Sequence, residues 1–213
     1  MDIMKQSPDS SPADRRSTND PDLPDLIARS LAGDQVAYAT LYERYAPGLY
    51  RLAYSILLIE KDAEDVLQES MVYAFRNLDR YDPARGAFRT WLYTITISRC
   101  RNARRRKWLP TVALNTLLNI GIEPSAPDDE SPETKAAWQE MRVSLMAALQ
   151  TLSPRLREAV ALRYGQGLTY REMAEIMECP QKTAESRIRL AHEQLRKAMS
   201  PADRAALADL WSV

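Results

Sequence analysis

The sequence predicts an all-α protein built as two small helical domains joined by a flexible linker. Three observations point there. Leu, Ala, Arg, Glu and Met dominate the 213 residues, and such side chains lose little rotamer freedom in a helix. Six glycines are few for an all-β chain. Apolar residues recur at spacings of three and four over long stretches, the period of one buried helix face.

Residues 1–22 are rich in Ser, Pro and Asp and carry few groups able to build a core, so they read as a disordered tail. A first domain follows over 23–108. Tyr38, Leu41, Tyr42, Tyr45, Leu49, Leu52, Ala53 and Ile56 form one apolar stripe, interrupted by Pro47-Gly48 as a bend or a break. The next helix carries Ala63, Val66, Leu67, Ser70, Met71, Ala74 and Phe75 on its inner side. A turn-rich stretch, Asn77 to Gly86, leads to a long helix with an apolar side of Phe88, Trp91, Leu92, Ile95 and Ala103.

Residues 109–135 form the linker, with Pro110, Pro124, Pro127 and Pro132 and an acidic run from Glu123 to Glu133. The pattern Val112 to Leu118 allows a short docked turn within it. The second domain, 136–199, reads as four short helices, the first being Trp138–Leu152. The second opens on Ser153-Pro154, an N-cap followed by Pro where its missing N–H costs nothing. The third opens on Thr169-Tyr170-Arg171-Glu172, a capping box. A turn at Glu178-Cys179-Pro180 precedes the fourth, and 200–213 is a C-terminal tail.

Charge narrows the function. The chain has 29 basic and 29 acidic residues, yet they are segregated. Pro83 to Leu109 holds eight bases and no acid, whereas Glu60 to Asp82 holds seven acids and three bases. Such polarity implies two different partners. The eight bases, Arg85, Arg89, Arg99, Arg101, Arg104, Arg105, Arg106 and Lys107, are interleaved with the aromatics Phe88, Trp91, Tyr93 and Trp108. Guanidiniums that hold a backbone while rings stack on bases are the means of binding a single strand. Phe88, Trp91 and Leu92 are read as core first, leaving Tyr93, Trp108 and the arginines at the surface. Salt dependence would be strong.

In the second domain, two helices joined by a tight turn form a helix-turn-helix pattern. Ala184, Ile188, Ala191 and Leu195 point inward on a helical wheel, and Lys182, Ser186, Arg189 and Glu193 point outward. The N-terminal part of such a helix enters the major groove, where Lys182 and Arg189 meet phosphate or guanine and Ser186 a base edge. Asp65, Gln68 and Glu69 share a face opposite the apolar stripe of their own helix. With no nucleophile, histidine or phosphate loop beside them, a protein-docking face is favoured over catalysis, with a merely solvated face as the alternative.

Other classes find little support. Cys100 and Cys179 lie far apart, no CxxC occurs, and the one histidine, His192, is read as an exposed surface residue, so zinc has few ligands. No cofactor is expected. No apolar run approaches the roughly 18–20 residues that span a bilayer, so no membrane insertion and a cytoplasmic location are expected.

Two ordered blocks resemble a known family. Asp62-Ala63-Glu64-Asp65-Val66-Leu67-Gln68-Glu69 with Phe88-Arg89-Thr90-Trp91-Leu92-Tyr93-Thr94-Ile95 resembles region 2 of the bacterial sigma-70 family. Leu152-Ser153-Pro154, Arg157-Glu158-Ala159-Val160 and Gly167-Leu168-Thr169-Tyr170-Arg171-Glu172-Met173-Ala174-Glu175-Ile176 resemble region 4. The layout, without regions 1.1 or 3, is similar to the extracytoplasmic-function (ECF) subgroup.

The resemblance implies a non-enzymatic factor that binds core RNA polymerase and directs promoter-specific initiation. Asp65, Gln68 and Glu69 would dock on the clamp coiled coil. Asn77, Arg80, Arg85, Arg89, Trp91, Tyr93, Arg99, Asn102, Arg104, Arg105 and Arg106 would recognise and melt the −10 element and hold a flipped non-template base. Gln181, Lys182, Thr183, Ser186, Arg187 and Arg189 would bind the −35 element as duplex, with region 4 also seated on the flap of the β subunit. The linker would run toward the RNA exit path. Factors of this subgroup are often held by an anti-sigma factor. The recognition helix departs from the family's usual Gly-Thr-Val-Lys-Ser-Arg, reading Lys182-Thr183-Ala184-Glu185-Ser186-Arg187. The rival readings are a sigma-like mimic and a helix-turn-helix regulator, each acting without polymerase recruitment.

Overall fold

In the computed structural model the described residues are 22–108 and 132–201, with residues 107–108, 132–140 and 142 described by backbone alone. The expectations for the terminal tails, most of the linker and the Trp108 and Trp138 side chains lie outside them. Among the described residues all regular structure is helical. The order is α1 (Leu23–Leu31), α2 (Gln35–Leu57), α3 (Glu60–Arg76), a 3-10 turn (Leu78–Arg80) and α4 (Phe88–Trp108). After the gap come α5 (Pro132–Thr151), α6 (Pro154–Val160), a π turn (Ala161–Gly165), α7 (Tyr170–Met177) and α8 (Gln181–Ala198).

Helices α2, α3 and α4 pack on one another, with α1 against α2. Asp34 caps α2: its carboxylate accepts from the backbone N–H of Val36 at 2.8 Å and of Ala37 at 3.3 Å. Arg29 holds the other oxygen at 2.7 Å, and this pairing, with the two amides, lowers the Asp34 pKa. Leu41, Leu49, Leu52, Ala53 and Ile56 are buried as the spacing requires. Tyr42 is not: it is 41% exposed, because residues 41 and 42 stand about 100° apart on a helix and Leu41 takes the inward place. Pro47 neither breaks nor ends the helix, which continues to Leu57. Pro47 itself faces solvent, while Ala46 and Leu49 beside it are buried. The apolar gain of the flanking turns therefore outweighs one missing amide.

Aromatic edges lock the start of α4 to its neighbours. Tyr45 and Tyr81 meet Phe88 edge-on at centroid distances of 5.2 and 5.0 Å, and Trp91 lies against Tyr81 at 5.6 Å. Phe88, Leu92 and Ile95 are buried, and Trp91 and Ala103 pack against the same core. Cys100 is fully buried, which raises its pKa to about 12, and Cys179 is half-buried.

In the second unit, α6 and α7 pack on α8, and α5 lies along α8. The Thr169/Glu172 capping box is formed, with the Thr169 hydroxyl accepting from the Glu172 amide and the Glu172 carboxylate accepting from the Thr169 amide at 2.8 Å. Ser153 departs from expectation, because its hydroxyl makes no cap hydrogen bond. Its carbonyl instead accepts from Leu156 and Arg157, both at 3.0 Å. His192 also departs: it is half-buried, and its ring meets the Tyr164 hydroxyl at 2.7 Å. Burial, and then the charge of Arg196, lower its pKa.

The two units are not separate bodies. One contiguous apolar cluster runs from Leu41, Leu52 and Ile97 through Leu162, Leu168 and Met173. Helix α4 packs on α7, and α2 on α6 and the π turn. Arg157 spans the junction, donating to the carbonyls of Ile56 at 3.0 Å and of Leu149 at 3.1 Å.

Candidate nucleic-acid and protein-docking surfaces

Helix α3 carries the acidic face. Its apolar stripe (Ala63, Val66, Ser70, Met71, Ala74) is buried, so the opposite side must face water. Asp65 and Gln68 are exposed there. Glu69 is turned toward α4, where Arg106 donates to both carboxylate oxygens at 3.0 and 3.1 Å. Both partners are well exposed, so this pair contributes little stability and parts easily.

The loop between α3 and α4 is folded on itself. Asn77 donates to the Tyr73 carbonyl at 2.8 Å and closes α3. The Asp82 carboxylate accepts from the Ala84 amide at 2.9 Å, and the Tyr81 hydroxyl donates to the Gly86 carbonyl at 3.2 Å. Arg80 and Arg85 project from this loop into solvent. Along α4, the Arg99 guanidinium lies 4.6 Å over the Tyr73 ring, and Arg105 donates to the Asn102 amide oxygen. An open, mainly basic cleft of about 620 Å³ between α3 and α4 is lined by Glu69, Val72, Tyr73, Arg76, Arg99, Asn102, Arg105 and Arg106.

A second set of α4 residues faces the other unit instead. Tyr93, expected at the surface, is 2% exposed. Its hydroxyl donates to the Gln166 side-chain oxygen at 2.5 Å and accepts from Arg89 Nε at 2.7 Å. Burial raises the Tyr93 pKa and keeps it a donor. Arg89 also donates to the Gln166 carbonyl at 3.1 Å. Arg104, with Arg101, grips Glu158. Local periodicity gave no warning of this, because the covering surface lies more than fifty residues away in sequence.

The helix-turn-helix is formed by α7 and α8. Glu178 at the turn has φ 54°, a left-handed conformation that ends α7 sharply. Ala184, Ile188, Ala191 and Leu195 are buried, which turns Lys182, Ser186 and Arg189 outward. Gln181 donates to Glu185 at 3.0 Å, and Arg189 pairs with Glu193 at 2.9 Å. Thr183 is half-buried. Arg187 is half-buried and reaches back over the turn to the Met177 and Cys179 sulfurs at 3.8 and 3.7 Å. Its position, between outward Ser186 and inward Ile188, explains the turn-facing course.

Sequence reasoning gives Arg157, Glu158 and Gln166 no site role, and takes Arg101 only as one base of the cluster. A signal existed for Glu158. It stands three and four residues before the buried Ala161 and Leu162, an acid on an apolar face, and such an acid needs a cationic partner.

Among the described residues no group of His, Cys, Asp or Glu is arranged to hold a metal ion, and no helix is long and apolar enough to cross a membrane. An acidic exposed face, a basic cleft and a helix-turn-helix define a helical adaptor that works by contact with macromolecules. Comparison with known proteins makes the class specific. Residues 41–109 match Sigma-70 region 2, and residues 142–195 match Sigma-70, region 4. The chain is 34% identical over 182 residues to the RNA polymerase sigma-H factor of Pseudomonas aeruginosa, covering 83% of this chain and 93% of that one. It is 33% identical over 182 residues to the ECF RNA polymerase sigma-E factor of Escherichia coli K12, with the same coverage. The structure of CnrH in complex with the cytosolic domain of CnrY is similar at a TM-score of 0.58 and 27% identity, covering 81% of this chain and 94% of that one. The sigma factor RpoE of Bartonella quintana, solved with the anti-sigma factor NepR, shares the fold at a TM-score of 0.58 and 21% identity, covering 76% and 95%.

The chain belongs to the sigma-70 family, in its extracytoplasmic-function group. It is a sigma factor, of a family of non-catalytic transcription initiation factors.

Proposed function

We propose that residues 23–108 act as region 2 and residues 136–199 as region 4 of a factor that brings core RNA polymerase to promoters. In region 2, exposed Asp65 and Gln68, with Glu69, dock on the clamp coiled coil. The loop residues Asn77, Arg80 and Arg85 and the α4 residues Arg89, Trp91, Tyr93, Arg99, Asn102 and Arg104–Arg106 recognise the −10 element. They hold its displaced strand by phosphate contacts and ring stacking. In region 4, Lys182, Ser186 and Arg189 enter the major groove of the −35 element, while Gln181 and Thr183 stand near its backbone. The same region sits on the β flap. Glu185 replaces the Lys usual in this family at that position, which removes one phosphate contact and makes the −35 contribution the weaker one.

The observation that carries this reading is the juxtaposition of an exposed acidic patch on α3 with the basic cleft shared by α3 and α4. One small unit thus offers a docking face for protein beside a seat for a nucleic-acid strand. The sigma factor of like fold solved with the anti-sigma factor NepR supports such a factor as a further partner of this chain. The test is run-off transcription with purified chain, core polymerase and a library of promoter sequences. Initiation at promoters that core alone ignores is expected; neither core binding nor initiation would favour a sigma-like mimic.

A further inference from the structure

The first half of α8, Gln181 to Arg189, carries one acid, Glu185, among Lys182, Arg187 and Arg189. Glu185 stands one turn beyond Gln181, in the part of a helix-turn-helix that reaches base edges. Its carboxylate is half-exposed and held in place, with Gln181 donating to Oε1 at 3.0 Å. It lines a cleft of about 360 Å³ between Tyr170, at the start of α7, and Arg189 and Arg196 of α8. The neighbouring cations do not neutralise it. Arg189 is taken by Glu193 at 2.9 Å, and Arg187 turns to the Met177 and Cys179 sulfurs. Lys182, exposed one turn earlier, makes no ion pair among the described residues.

A carboxylate on a duplex-binding helix is unfavourable beside phosphates, because like charges repel. An ionised carboxylate accepts hydrogen bonds and donates none, so only a donor on the DNA satisfies it. In the major groove the base donors are the cytosine N4 and adenine N6 amino groups. Guanine presents O6 and N7 and thymine O4, all of them acceptors that repel the carboxylate. Adenine sets its N7 acceptor beside the amino group, where it opposes the second carboxylate oxygen. Cytosine has no acceptor there. Cytosine is therefore the base that Glu185 accepts best, while Lys182 and Arg189 on the flanking turns serve phosphate or guanine.

We propose that Glu185 is a specificity-determining residue for the −35 element, accepting a hydrogen bond from the N4 amino group of one cytosine. Gln181 holds the carboxylate in position, and the charge that lowers general affinity for duplex selects the base. The proposal rests on the reading of α8 as the −35 face.

The test is selection from a duplex library with a randomised −35 window, using the full chain with core polymerase. It compares wild type, Glu185→Gln and Glu185→Ala; Glu185 is half-exposed and outside the core, so α8 should survive both changes. The wild type is expected to select cytosine at one position of the window. Glu185→Gln should switch that position to adenine, because an amide donates to N7 and accepts from N6. Glu185→Ala should lose the preference there and keep the rest of the motif. On single labelled duplexes, replacing the selected cytosine should weaken wild-type binding roughly tenfold, the size of one base contact, and leave the Ala variant unaffected. Cytosine retained at that position in Glu185→Ala overturns the proposal, as does a wild-type motif in which the substitutions alter no cytosine. Either result leaves α8 as the −35 face. A wild-type library with no upstream motif, while initiation persists, removes the −35 reading and the proposal together.

Discussion

The two surfaces assigned to DNA differ in how the molecule presents them. On α8, Lys182, Ser186 and Arg189 stand clear of the rest of the fold, held out only because Ala184, Ile188 and Ala191 are buried behind them. On α4, the basic residues divide: Arg105 and Arg106 are exposed, while Arg89, Arg101 and Arg104 are engaged by residues of the second unit. A duplex groove reader needs nothing beyond an exposed helix. Helix α4 thus lines an open basic cleft on one side and meets the second unit on another.

The largest effect should fall on the α4 side. Reversing Arg104, Arg105 and Arg106 to Glu is expected to reduce open-complex formation by roughly 100-fold, measured by permanganate reactivity of unpaired thymines, because several phosphate contacts become repulsions. Wild-type levels of opening would break the assignment of α4. Next is the docking face: Asp65→Arg with Gln68→Arg should weaken core binding by about tenfold without shifting the melting temperature, as both side chains are exposed. On the α8 side the expected loss is smaller. Lys182→Ala should weaken duplex binding a few-fold across all sequences and lower the log–log salt slope by about one.

Two predictions concern stability of the second unit alone. Thr169→Ala removes a formed capping box and should cost about 1 kcal/mol, read as a lower thermal midpoint. The smallest effect is pH-linked. Burial holds the His192 pKa below its ordinary 6.5, so the unfolded chain takes up a proton where the folded one does not. The resulting stability is present above that ordinary value and is lost as pH falls through it toward the folded value. His192→Gln should flatten the fall in thermal midpoint between neutral and mildly acidic pH; an unchanged slope would assign the acid sensitivity elsewhere.

What could be read from sequence is what local periodicity and capping decide. The inner faces of α2, α3 and α8, the Thr169/Glu172 cap and the helix-turn-helix all follow from spacings within one element. The misreadings share a cause, namely a choice between neighbouring directions or a partner from afar. Tyr42 lost the inward place to Leu41. Tyr93 was placed at the surface because nothing near it in sequence reveals Gln166. Of the bend or break read at Pro47, the break does not occur, because the buried residues on either side carry the helix through. The acidic face of α3 and the basic face of α4 are legible as a charge pattern, whereas the contacts of α4 with Glu158 and Gln166 are legible only in three dimensions.

The π turn at Ala161–Gly165 bears on how this unit tolerates change. A wider turn holds one residue more than an α-helix would over the same rise. The extra residue lies between Glu158, on the helix before the turn, and Gln166, just after it, and both meet α4. The turn therefore acts as a spacer between two contacts made with one helix.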